Sequence, residues 1–461
     1  MEDTRKGDLF RDVVEILERA GHDLCVLHGY EDYPENIRSD IDAISRNPEE
    51  IPHILSEDGA VSVIQAIDTQ PAAALWLAVF RWYDGEPVII RLHVFRGDYR
   101  IDGKVFFEGE EFLGNRRDFK FFKVPPPALE FAAYLVKRMA KGSLDEEQGS
   151  RLSRLYAEDP TSCRKYLTRL LPEDEAALVA EAARTGRWET VRDRAGELYK
   201  HMASRIARER PVAVSWNRLG DRLQKLRRAV RPPGLMVAFL GVDGAGKSTV
   251  MARLERDLAP AFWSTRRYHG RALESPLRWT RRVRAKRMLR DQEIKSAAWT
   301  NASLPSRDPH NKPSRGLPLS LLKLVLWWAD YTFLGYLRDV YPNLRRGALV
   351  LFDRYYQDLL VDPRRHRYGG PLWLARLAGR FFPRPHLTIL LDAPPEVLHS
   401  RKQEVSLEET SRQREAYLRL VKELPGGHVL DASKPVATVV SETERILLEH
   451  LATREARKLK A

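Results

Sequence analysis

The chain is poor in cysteine: only Cys25 and Cys163 occur in 461 residues. Two thiols cannot build a disulfide framework or an all-cysteine zinc site, and the count fits a reducing compartment. The opening stretch, MEDTRKGDLFRD, lacks the apolar core of a secretory leader, so a cytoplasmic protein is expected. Internal repeats and low-complexity tracts are also lacking. Long apolar runs are scarce too. Leu317–Leu337 (LPLSLLKLVLWWADYTFLGYL) is long enough to span a bilayer, but it contains Lys323 and Asp330. Each charge is costly at the bilayer centre, so the expectation is a buried helix and no transmembrane segment.

What is present points to a globular protein with anionic partners. Hydrophobic residues make up 43% of the chain and charged residues 31%, which supports large cores in about two to three domains. Net charge is +13, suited to phosphates, nucleic acid or a membrane surface. A basic stretch, Ser204–Pro233, ends in Pro232-Pro233-Gly234, which cannot continue a helix and divides the chain. Beyond it, apolar strands (235–240, 348–352, 387–391 and 428–430) alternate with helical stretches, the pattern of a parallel sheet covered by helices on both faces.

Residues 241–248, Gly-Val-Asp-Gly-Ala-Gly-Lys-Ser, fit G-x-x-x-x-G-K-[ST] between a strand and an amphipathic helix. Glycines at 241, 244 and 246 allow backbone N–H groups to turn inward around phosphates, and the following helix aims its positive end at them. Lys247 can reach the β- and γ-phosphates, and the Ser248 hydroxyl can ligate Mg²⁺. Asp243, Ala245 and Thr249 complete the candidate loop. Asp353 closes the strand ALVLF, at the end of a parallel strand where ligands bind, and can hold Mg²⁺ or accept a hydroxyl proton. Arg354 can contact phosphate; an inert surface Asp-Arg pair is the alternative.

Four segments in order (GVDGAGKST, LFDRYY, PHLTILLDAPPE and RKQEVSLEETSRQREAY) resemble thymidylate kinase and its relatives, the P-loop nucleoside monophosphate kinases, from Leu235 to about Leu451. The resemblance implies an ATP- and Mg²⁺-dependent phosphotransferase whose acceptor is a phosphorylated small molecule. It places Asp243 near the acceptor and gives Asp353 and Arg354 the roles of metal, acceptor and phosphate contacts. It makes Arg401 and Arg412 lid arginines that close over the transferring phosphate, and it lines the adenine with Asp431-Ala-Ser433. A solvated helix face, with Arg412 paired to Glu408 and Arg401 to Glu404, is the other reading of the lid. The thymidylate-contact motif expected after the loop helix is missing, as is the family's usual segment after the Asp-Arg pair; YYQDLLVDPRRHRYGG stands there instead. Residues 266–290 carry ten basic residues and one acid. A solvated face or a multiply anionic acceptor accounts for them better than nucleic acid does.

The N-terminal half has a separate pattern. Asp8–Ala20 is an amphipathic helix; Leu24–Leu27 and Ile41–Ile44 are short strands; Ala73–Phe80 and Val88–Phe95 form a hairpin across Asp84-Gly85. Gly29, followed by Asp40 and Asp42 on one strand face, resembles the nucleotidyltransferase fold, in which such carboxylates hold Mg²⁺. Arg91 stands where a third carboxylate is expected, and a cation there turns Asp40 and Asp42 into ion-pair partners. His28 and His93 are expected to be packing or hydrogen-bonding residues, not metal ligands. The resulting expectation is an α/β protein. A nucleotidyltransferase-like α+β domain (1–125) is followed by a helical region and basic linker (126–232) and a thymidylate kinase-like P-loop domain (233–461). Rival readings are nucleotidyl transfer through Asp40 and Asp42, and a non-catalytic nucleotide-gated binding protein.

Overall fold

The computed structural model describes residues 2–37, 39–69, 74–209, 231–270, 313–403 and 405–460. The chain forms two compact units, residues 1–231 with 450–461, and residues 232–449.

In the first unit, five strands make one mixed sheet in the order β1-β2-β5-β4-β3: β1 (Cys25–Val26), β2 (Ile41–Ser45), β3 (Ser62–Asp68), β4 (Ala74–Tyr83) and β5 (Glu86–Arg96). The β4–β5 hairpin turns at Asp84 and Gly85, both with positive φ (50° and 81°), the backbone that a two-residue turn between twisted strands requires. β3 has no clean alternation in sequence because its register against β4 shifts between Val63 and Gln65, so a bulge interrupts the two-residue period. The helix Glu2–Arg19 seats Leu9, Phe10, Val13 and Leu17 in one core with β2, β4 and β5 residues. Two small hairpins follow, β6–β7 (Tyr99–Ile101, Lys104–Phe107) and β8–β9 (Arg117–Phe119, Phe122–Val124). Six helices between Pro127 and Glu209 then build a second core around Phe131, Leu135, Leu152, Leu167 and Leu198.

In the second unit, five parallel strands lie in the order β11-β12-β10-β13-β14: β10 (Leu235–Leu240), β11 (Thr265–His269), β12 (Leu349–Asp353), β13 (Leu387–Asp392) and β14 (Gly427–Asp431). β10 and β12 are fully buried, which is why they read as unbroken apolar runs. β11, an edge strand of sequence TRRYH, carries no apolar signature and is invisible to pattern reading. Neighbouring strands bring Phe239 beside Asp353, so the loop after β10 and the acid ending β12 emerge together at the carboxyl edge.

The expected burial of the 317–337 run is corrected by the structure. Leu317–Arg345 is one helix, long and apolar enough by length and composition to cross a membrane, with π turns at Asp330–Leu334 and Tyr336–Val340. Only one side is buried, through Leu324, Trp327, Tyr331, Val340 and Leu344; Leu319, Leu322, Val325 and Leu326 are more than half exposed. The sequence is apolar on both sides, so composition could not distinguish the face packed in the fold from the free one.

Candidate functional site

The loop after β10 is shaped by its glycines. Gly241 has φ 138°, and a side chain there would collide with the Leu391 carbonyl at 2.6 Å. Gly244 has φ 89°, and its missing Cβ would lie 2.7 Å from the Leu398 carbonyl. Gly246, at φ 83°, faces open space and opens the helix Lys247–Asp257. Room beside backbone N–H groups at a helix start is what a phosphate needs.

Lys247 is buried, and its Nζ donates to the loop carbonyls of Gly241 (2.7 Å) and Val242 (3.0 Å). Burial, with the Arg354 charge beside it, pushes its ammonium down to about 8 against the pull of Asp243, Asp358 and Asp353. The Ser248 hydroxyl lies 3.4 Å from Asp353 Oδ2, and His269 Nδ1 lies 3.1 Å from the same oxygen. Burial opposes the Asp353 charge, but the His269 hydrogen bond and the Lys247 charge outweigh it and hold the carboxyl below its usual range. Its other oxygen, Oδ1, is buried without a hydrogen-bond partner among the described residues. An orphaned carboxylate oxygen beside a serine hydroxyl is a donor set suited to hydrated Mg²⁺, which prefers oxygen ligands and retains water. Residues 241–249 with Asp353 therefore fit a magnesium-bound triphosphate.

Next along the chain, Arg354 leaves β12 in the left-handed region (φ 70°), a backbone state costing about 1–3 kcal/mol for a non-glycine residue. Its guanidinium donates to both Asp243 and Asp358. Asp243 is held a second time by Arg365, and Asp358 a second time by the Tyr417 hydroxyl. Gln413 Nε2 donates to Asp362 at 3.1 Å, tying the helix Leu407–Lys422 to the same segment.

The two lid candidates have other partners in this structure. Arg401 donates to the Ala432 carbonyl at 2.9 Å, although its Cβ lies 3.4 Å from where a Gly244 side chain would begin. Arg412 pairs with Glu409, three residues away, and donates to the Val361 carbonyl at 3.0 Å. The pairing with Glu408 weighed from sequence is thus replaced by one with Glu409, while Glu404 lies outside the described residues. Asp431 accepts from the Ser433 backbone at 2.9 Å. Pattern reading missed His269, Arg365, Asp358 and Tyr417. His269 ends the unrecognised edge strand, whereas Arg365 stood in view within PRRHR with no motif to single it out. Of the basic run 266–290, residues 271–290 lie outside the described residues.

The N-terminal carboxylates are ion-paired. Arg91 Nε meets Asp40 Oδ1 at 2.6 Å, and Trp76 Nε1 donates to Asp40 Oδ2 at 3.3 Å. The expectation that Arg91 also pairs with Asp42 is corrected: Asp42 is held by Lys137 Nζ at 2.6 Å and by His93 Nδ1 at 3.1 Å. His28 Nε2 lies 3.2 Å from the same ammonium, so both histidines act in hydrogen bonding. Burial works against the Asp42 charge, yet His28, His93 and Lys137 together hold the carboxyl far below its usual range. Lys137 comes from the helix Pro127–Lys141, about a hundred residues away in sequence, so no local motif announced it.

No family model matches the chain. A probable thymidylate kinase of Pyrobaculum calidifontis is 26% identical over 226 residues, covering 48% of this chain and 98% of that protein. The thymidylate kinase of Xanthomonas oryzae pv. oryzae is 28% identical over 239 residues, covering 49% and 88%, and that of Xylella fastidiosa is 28% identical over 239 residues, covering 48% and 91%. Among solved structures, thymidylate kinase from Ehrlichia chaffeensis aligns with 47% of this chain and all of its own, at 16% identity and a TM-score of 0.30. About half of the chain is thymidylate kinase-like in sequence.

Proposed function

We propose that residues 232–449 form a Mg²⁺- and ATP-dependent kinase that passes the γ-phosphoryl group to a phosphorylated small-molecule acceptor. The observation that carries this reading is the buried Lys247 in a glycine-shaped loop beside the Ser248–Asp353 pair. Bound Mg²⁺-ATP supplies the transferable phosphoryl group and a cation that neutralises its developing charge. The loop N–H groups would hold the phosphates, and Lys247 would exchange its two carbonyl contacts for phosphate oxygens. Ser248 and Asp353 would hold the metal shell. Asp243, fixed between Arg354 and Arg365, would position the acceptor. Arg401 and Arg412 would need to leave their present partners to reach the transferring group. An arginine that does so contributes about three orders of magnitude or more in rate.

The relatives above are thymidylate kinases; the missing thymidylate-contact motif sets this chain apart, so thymidylate is proposed to be a poor acceptor. The test is ATP turnover against a panel of nucleoside monophosphates and phosphorylated sugars. Lys247→Ala should abolish transfer while the protein still folds. Full turnover in folded Lys247→Ala refutes the assignment, and thymidylate turnover within about 1–10³ per second refutes the acceptor argument. Nucleotidyl transfer at Asp40 and Asp42 gains no support, since both carboxylates already carry cationic partners.

A further inference from the structure

Fifteen large apolar side chains are exposed among the described residues, and eleven of them fall on two adjoining segments of the second unit, 317–337 and 372–381. Such concentration is not the scattered exposure normal for a surface. On the first segment, Leu319, Leu322, Leu326, Phe333 and Leu337 recur at helical spacing and are about half exposed. On the second, Trp373, Leu377 and Phe381 are four residues apart and 65%, 42% and 63% exposed. The segments pack together: Thr332 Oγ1 donates to the Phe381 carbonyl at 3.3 Å, and the Tyr331 and Phe382 rings meet at 5.3 Å.

The second segment and its flanks are basic. Residues 363–386 contain six arginines and no acid, and Arg376, Arg380 and Arg384, which alternate with the apolar stripe, are exposed. We propose that this face docks on the surface of an anionic phospholipid bilayer, with the leucines and aromatics in the acyl boundary and the arginines at the headgroups. The helix lies on the bilayer and does not cross it. Its other side is held in the fold by Leu324, Trp327 and Tyr331, and Lys323 is bound to the His366 carbonyl. A second copy of the chain fits less well, because a symmetric contact brings the arginines of one 376–384 stretch toward those of the other.

The test is flotation of the full chain with phosphatidylcholine vesicles, with and without phosphatidylglycerol. The protein should partition onto the anionic vesicles, bind the neutral ones more weakly, and release as salt screens the arginines. The variant Leu326→Glu with Trp373→Glu should bind about tenfold more weakly or worse, since charge enters the acyl boundary. Both positions are exposed, so its melting curve should match the wild type. Failure of the wild-type chain to float with anionic vesicles overturns the proposal, as does undiminished binding by the folded variant. A concentration-dependent dimer that the variant disperses, without vesicle binding, assigns the face to a second copy.

Discussion

Replacing Lys137 by methionine removes the cation beside Asp42 and keeps the bulk of the side chain. The pair is 2.6 Å apart, with 20% and 14% of the two side chains exposed. At an effective dielectric near 20, the gross attraction is about 6 kcal/mol, most of it offset by desolvation. Breaking such a pair from one side costs about 3–5 kcal/mol when fully buried; the partial exposure and the remaining His93 bond argue for about 3 kcal/mol. Asp42→Asn should cost about 2 kcal/mol, because the lysine can swing toward water. The double variant should cost about 2–3 kcal/mol instead of the additive 5, giving a coupling of about 2–3 kcal/mol. For a unit of this size, each kcal/mol moves the melting temperature by about 2–4 °C, so Lys137→Met should lower the first unit's calorimetric transition by about 6–12 °C.

The same variant carries a pH signature. His28 is kept well below its ordinary value by burial and then by the Lys137 charge. Without that ammonium the folded His28 takes up a proton more readily. Its folded pKa rises toward the unfolded value, so the variant loses less stability than the wild type as pH falls through the histidine range, and the difference between them at pH 5.5 should be smaller than at pH 7.5. Additive single-variant costs, or a Lys137→Met transition within about 2 °C of wild type, would refute the ion-pair account. Mg²⁺ stabilisation of the wild-type first unit that vanishes in Asp42→Asn would restore the carboxylates as a metal site.

Lys247→Met should raise the melting temperature of the ligand-free second unit at pH 7. A buried ammonium titrating near 8 in the fold and 10.5 in the unfolded chain costs about 3 kcal/mol, less about 1 kcal/mol for each of the two carbonyl bonds lost. Between those values the unfolded wild type binds the extra proton, so its stability climbs with pH; the variant's lead of about 1 kcal/mol should vanish at about pH 9 and reverse above it, and a gap independent of pH contradicts this. Arg365→Met should raise the acceptor KM about tenfold through loss of one charged hydrogen bond on Asp243, with little change in the KM for ATP. Equal effects on both would remove Arg365 from the acceptor side. Cys25 and Cys163 are buried, and burial pushes each thiol up to about 12, so neither should react with maleimide until the chain unfolds; mass spectrometry of the labelled protein checks it.

Features whose cause is local were legible in the residues alone. The glycine-rich loop after β10 declares itself because three glycines and a lysine stand at a fixed spacing, and the structure gives those glycines left-handed or crowded positions. Buried strands β10, β12 and β13 read as apolar runs because both faces are covered. The β4–β5 turn followed from Asp-Gly, whose backbone freedom the turn requires.

Tertiary structure alone decided which charges meet. Lys137 on a distant helix neutralises Asp42, Arg365 shares Asp243 with Arg354, and His269 on an edge strand without apolar signal reaches Asp353. Only the fold could divide the 317–345 helix into a packed face and an open one, because leucine on either side is the same residue until the rest of the chain has chosen a side to cover. Spacing along a chain records what each residue can do, and packing determines the partner with which it does so.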